Sequence, residues 1–181
     1  MLLERVAPST VQDFSECREG PVRVHLRPFT TFECGDISAF RVGAKYRPGT
    51  ADILKVHVVS PTFRERFTCM TEKPVKAEIL QISEMTREGD IAQIRPELGV
   101  ENTEITLGQH WQLHMLQGQG QSGRLLTEGV NIGFILDRYT ESVPVCSIWI
   151  PRLGWNFTDC FSLSTKWKRG TRIISRDYLS A

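Results

Sequence analysis

Val143-Pro144-Val145-Cys146-Ser147-Ile148-Trp149-Ile150 is apolar on both of its alternating faces, so it reads as a central strand of a sheet. Its neighbours carry the same period of two. Val130, Ile132, Phe134 and Leu136 alternate just upstream, and Trp155, Phe157, Phe161, Leu163 and Trp167 alternate downstream, with Asp159 and Thr165 as polar interruptions. Further upstream, Ile105, Leu107, Trp111, Leu113 and Met115 occupy odd positions while Thr106, His110, Gln112 and His114 occupy even ones. This predicts a long strand broken only at Gly108 and Gln109.

The amino-terminal half repeats the pattern. In Val22-Arg23-Val24-His25-Leu26-Arg27 one face is apolar and the other basic, and Phe40, Val42, Ala44 and Tyr46 alternate with Arg41, Lys45 and Arg47. Leu54, Val56 and Val58 form a third strand, and Ile53 and Val59 make it the more deeply buried one. Cys34-Gly35-Asp36, Arg47-Pro48-Gly49-Thr50 and Ser60-Pro61 punctuate these runs as turns. Less regular strands are expected near Phe63–Met70, Val75–Ile82 and Ile91–Arg95.

Helix is scarce. Thr10–Glu19, with Ser9 and Gln12 at capping-box spacing, predicts an amino-terminal helical arm within residues 1–20, and a short turn is expected at Ser83–Glu88. About nine short strands with little helix between them predict a mainly β protein, an antiparallel β-sandwich, jelly roll or barrel with one or two short helices. The expected core contains Val24, Phe40, Val42, Val56, Leu107, Trp111, Leu113, Ile132, Phe134, Ile148, Phe157 and Phe161. At 181 residues the chain reads as one domain, 1–181, with a basic carboxy-terminal segment at 165–181.

Composition excludes several classes. Hydrophobic residues at 40 % and charged residues at 24 % rule out wholesale disorder, and a net charge of +1 gives no global field toward nucleic acid or an acidic membrane. No apolar run approaches the ~18 residues of a membrane span, and Glu4 and Arg5 interrupt any signal-like stretch, so an intracellular, cytoplasmic location is expected. Cys17, Cys34, Cys69, Cys146 and Cys160 are scattered without a CxxC pair and read as structural reduced thiols. The Asn156-Phe157-Thr158 sequon is then irrelevant.

Chemical signatures are weak. Gly118, Gly120 and Gly123 match G-x-G-x-x-G, but only Arg124–Glu128 separates them from Gly129, too little for the helix a dinucleotide site needs. A flexible hairpin connection is the expected role. His110 and His114, placed on a strand, would lie ~13 Å apart and could not share an ion. Neither a catalytic residue nor a cofactor is assigned, and an enzyme with a pocket inside the β fold remains the least favoured reading.

Basic residues form the one constellation that suggests a surface. Arg23 and Arg27 share a face with His25, Arg41, Lys45 and Arg47 line the next strand, and pairing as a hairpin would join them. Lys166, Trp167, Lys168, Arg169 and Arg172 gather charge beside an aromatic ring. From residue 138 onward there are seven basic and three acidic residues, against two and six in 89–137. Such segregation suits a phosphate or lipid-headgroup contact, with Trp167 or Tyr46 available to stack on bases.

In composition the chain resembles small virus or phage structural proteins, with scarce alanine, many short strands and no catalytic signature. The expectation is therefore a non-enzymatic assembly or interaction protein, coat-, matrix- or accessory-like. Its partners would be copies of itself as a homo-oligomer or other proteins, because strands leave edges that must be covered. The alternatives are a nucleic-acid-binding module for RNA or DNA, or an anionic membrane contact.

Overall fold

A computed structural model describes residues 25–49, 53–99, 103–160 and 165–176. In chain order the elements are β1 (Leu26–Cys34), β2 (Phe40–Arg41), α1 (Val42–Lys45), β3 (Val56–Val59), α2 (Pro61–Phe67), β4 (Thr71–Glu72) and β5 (Glu78–Met85). There follow α3 (Ile91–Leu98), α4 (Leu107–Met115), β6 (Val130–Leu136), β7 (Ser142–Ile150), β8 (Gly154–Asp159) and β9 (Arg172–Arg176). The expected helical arm, Arg23, Val24 and Phe161 lie outside the described residues.

Seven strands form one sheet in the order β1-β5-β9-β6-β7-β8-β3, and β2 pairs with β4 in a separate ribbon. The protein is mainly β, but the large sheet is mixed: β3 runs parallel to β8 and β6 parallel to β9, while the other pairings are antiparallel. Most pairings are antiparallel, but in place of the expected antiparallel sandwich, jelly roll or barrel the strands form an open mixed sheet flanked by helices. Both faces are covered. Leu80, Ile82, Val145, Trp155, Phe157 and Ile174 join α1, α2 and α4 in one core, and Met85, Ile132, Phe134, Cys146 and Ile173 join α3 and Trp167 in another.

That double burial explains the apolar run at β7, which is interior as expected. It also explains β9, a strand within the expected basic carboxy-terminal segment: Ile173 and Ile174 point to opposite cores, and the strand sits between β5 and β6. Of the expected core residues that are described, Phe40, Val42, Val56, Leu107, Trp111, Leu113, Ile132, Phe134 and Phe157 are buried, while Ile148 is only half-buried.

Four expected strands are helices, and each has a local cause. Residues 105–115 form α4 because Thr106 and Gln109 make a reciprocal capping box, and Leu107, His110, Trp111 and His114 then share a buried face at i, i+3, i+4 and i+7. Residues 91–98 form α3 behind a second capping box, Asp90 with Gln93. The stretch near Phe63 is α2: Ser60 accepts from the Phe63 amide, and Pro61 occupies the first turn, where its missing N–H costs nothing. The fourth, from Phe40, becomes the two-residue β2 followed by α1, whose Val42 and Tyr46 stack on one face four residues apart.

Conversely, Ser83–Met85 continue β5 instead of forming the expected turn. The third strand is also corrected, because β3 is an edge strand with Ile53 and Val58 exposed.

Candidate functional site

A cleft of ≈ 550 Å³ lies between residues 126–130 and 166–171, lined by Glu128, Lys166, Trp167, Lys168 and Arg169 among others. Its basic wall is held by backbone bonds. Trp167 exchanges two hydrogen bonds with Gly89 (2.8 and 3.1 Å), the Gly170 amide donates to Met85 O (2.8 Å), and the Met85 amide donates to Thr171 O (2.8 Å). The Thr171 amide closes a turn on Lys168 O (3.2 Å), and Gly170 takes φ +88°, as the third residue of a type II turn requires. Lys168 and Arg169 thus sit at a fixed turn with exposed side chains, and exposed Lys166 is 3.9 Å from Glu88.

The opposite wall is fixed by Asn131, which accepts from the Leu126 amide (2.8 Å) and donates to Leu126 O (3.0 Å).

Trp167 has a different role from the one its composition suggested. It is 5 % exposed and meets Phe134 edge-on, with ring centroids 6.5 Å apart, so it anchors the turn and presents no face to a base. Tyr46, at 2 % exposure, is equally unavailable for stacking.

Arg172 also turns away from the cleft. Its guanidinium lies 3.8 Å from the Phe29 ring centroid and donates to the carbonyls of Gly123 and Arg124, and burial lowers its pKa. Arg27 pairs with Glu84 at 3.3 Å, and Glu84 is in register with Arg172, so these three residues form a cross-strand line on the first-core face.

Arg41, Lys45 and Arg47 are exposed around α1, which packs on the first core. Arg23 lies outside the described residues. β1 pairs with β5 and β2 with β4, so the expected hairpin between the two basic strands does not form. The basic residues at 41–47 and at 166–169 consequently belong to opposite faces of the sheet and make no single patch.

The glycine loop is packed tightly. A side chain at Gly118 would come within 1.8 Å of Ile53 O, and one at Gly120, with φ +72°, within 2.0 Å of the Trp149 ring. Gln117 spans the loop, donating to Gln121 O and Leu125 O and accepting from the Leu125 amide. Instead of a flexible hairpin, the loop is a closely packed, hydrogen-bonded exit from α4.

Sequence reasoning missed a buried polar cluster. On α4 the rings of His110 and His114 are 4.2 Å apart at the centroids, both fully buried, in place of the ~13 Å separation expected on a strand. His114 Nδ1 donates to His110 O (2.8 Å), so its Nε2 is an acceptor for the Ser147 hydroxyl at 2.7 Å. Tyr46 OH meets His110 Nδ1 at 2.8 Å, and His110 Nε2 has no hydrogen-bond partner among the described residues.

Burial holds both imidazoles neutral: it lowers His114 to about 4 and His110 well below its usual value, with the neighbouring ring adding to the effect on His110. The hydroxyl–imidazole pair has a nucleophile–base geometry, but Ser147 is fully buried and no described cleft reaches it. Three of the four ring nitrogens are engaged, which leaves one donor for a metal. Among the described residues, no group of three or more His, Cys, Asp or Glu side chains gathers around a metal-sized position.

A second cleft, ≈ 670 Å³ and mostly apolar, lies along α3 and is lined by Ile91, Ala92, Pro96 and Leu136, with the Arg95–Glu104 ion pair at its margin. No helix among the described residues is long and apolar enough to cross a membrane. Comparison with protein-family models, curated proteins and solved structures finds no match.

Proposed function

We propose that this chain is a non-enzymatic interaction protein whose working surface is the basic cleft, and that its partner is a phosphate-bearing polymer, RNA or DNA. The observation that carries this reading is the convergence of three exposed cations, Lys166, Lys168 and Arg169, on one cleft with, among the described residues, a single lining carboxylate, Glu128. Rigid mounting supports it, because a pre-set turn loses little freedom when a phosphate binds. The buried Trp167 argues against base stacking, so contact would be to the backbone and indifferent to sequence.

Fluorescence anisotropy with a labelled single-stranded oligonucleotide tests the reading. With three phosphate contacts, the log–log salt slope should lie near −2 to −3. Absence of a complex at low salt, or a complex insensitive to salt, would remove the proposal.

A further inference from the structure

Cys146 lies on β7 facing the second core, and Cys160 follows the last residue of β8. The Cys160 amide donates to Pro144 O at 2.9 Å, extending the β7–β8 ladder by one step, with Val145 opposite Asp159 and Cys146 opposite Thr158. The two cysteines are therefore diagonal neighbours on one face of adjacent strands. Their sulfurs are 2.7 Å apart. That is well inside the ~3.5–4.0 Å of ordinary heavy-atom contact and approaches the ~2.05 Å of a disulfide, so closure needs only a small side-chain movement.

We propose that Cys146 and Cys160 are a modification site that closes to a reversible intramolecular disulfide, with hydrogen peroxide as the oxidant. Access separates the roles. Cys146 is 2 % exposed and Cys160 half-buried, so Cys160 is the more accessible of the two. The two sulfurs share a hydrogen bond that, with burial, raises the Cys146 pKa and that lowers the pKa of Cys160, which favours the thiolate at Cys160.

The Cys160 thiolate attacks one peroxide oxygen. An S–O bond forms, the O–O bond breaks, and the departing hydroxide takes a proton to become water. Cys160 is then a sulfenic acid. The Cys146 sulfur attacks that sulfur, the S–O bond breaks, and the Cys146 proton leaves with the hydroxyl as a second water. Two thiols have lost two electrons, and one peroxide has been reduced to two waters.

The other described cysteines provide internal contrasts. Cys34 is buried and held at Gln112 Oε1 (3.1 Å), with burial pushing its pKa up to about 11, and Cys69 is exposed with no second thiol beside it among the described residues.

The experiment uses the full chain, reduced and then treated with about one equivalent of hydrogen peroxide. Titratable thiols should fall from five to three, the intact mass should drop by about 2 Da, and peptide mapping should join Cys146 to Cys160. Dithiothreitol should reverse all three changes. The closed form should melt several degrees higher, because the link shortens the unfolded chain's reach across a short loop. Cys146→Ser should leave Cys160 as a sulfenic acid that dimedone traps, and Cys69→Ser should behave as the parent.

Mapping on the parent chain requires no variant to fold. If five thiols survive, if the link falls elsewhere, or if Cys160 is oxidised to the sulfinic acid while Cys146 stays reduced, the proposal is overturned. This outcome is independent of binding at the basic cleft.

Discussion

The imidazole of His114 shows how one side chain ties the core to pH. Its folded pKa is about 4 against 6.5 for the free group, because burial opposes the charge. Between these values the unfolded chain takes up a proton that the folded chain refuses, so stability is present above 6.5 and falls as pH drops toward 4. His110, shifted the same way, adds to the slope. His114 alone is expected to remove about 3 kcal/mol by pH 4. Urea unfolding at pH 7 and pH 4.5 checks this, with His114→Gln expected to be less stable at pH 7 and less sensitive to acid; an unchanged acid slope in the variant would discard the assignment. At the same scale, Gly118→Ala should lower the melting temperature markedly, since the added carbon would meet the Ile53 carbonyl at 1.8 Å and the backbone would have to move.

The element scale explains both the misreading of α4 and its stability. Apolar residues at 105, 107, 111, 113 and 115 satisfy a period of two, but the buried set on the helix also contains Gln109, His110 and His114, which residue type marks as polar. Hydrophobicity alone could not separate the two periods. The separating signal was the pair Thr106 and Gln109, as it was Asp90 and Gln93 for α3, so three-residue capping spacing was more informative than alternation in these segments. By contrast β6 and β7 were legible because their apolar residues fill both faces of the sheet. The start of α4 is also fastened by Glu72 of β4, whose carboxylate accepts from the Leu107 amide (2.7 Å) and the Gly108 amide (2.8 Å) while burial raises its pKa. With Thr106 Oγ1 accepting from Gln109, this satisfies donors that a helix start would otherwise leave unpaired. Thr106→Ala should cost about 1 kcal/mol, and Glu72→Ala about 2–3 kcal/mol because two buried amides lose a charged acceptor. Equilibrium denaturation measures both, and a Glu72→Ala variant as stable as the parent would show that these bonds contribute nothing net.

At the scale of the whole molecule, the sheet decides which surfaces can act together. Its edges are blunted: β1 carries Pro28 and a register shift before Thr30, with Arg124 Nε donating to Thr31 O, and β3 is four residues long with Gly49 bonded to Val56 O. Strand addition between copies thus loses the support that counting strands gave it. The same sheet separates the basic residues. The cluster at 166–172 was legible as a concentration of charge, but the orientation of each side chain was not, because β9 begins inside it and sends Arg172 to the far face. Lys168→Ala with Arg169→Ala should therefore weaken oligonucleotide binding and reduce the magnitude of the salt slope by about 1.5, since two phosphate contacts disappear. Lys45→Ala with Arg47→Ala, on the opposite face, should leave both affinity and slope at the parent values. Equal losses from the two pairs would mean that the polymer wraps the molecule or binds without a defined site, and a loss confined to Lys45 and Arg47 would move the binding surface to the α1 face.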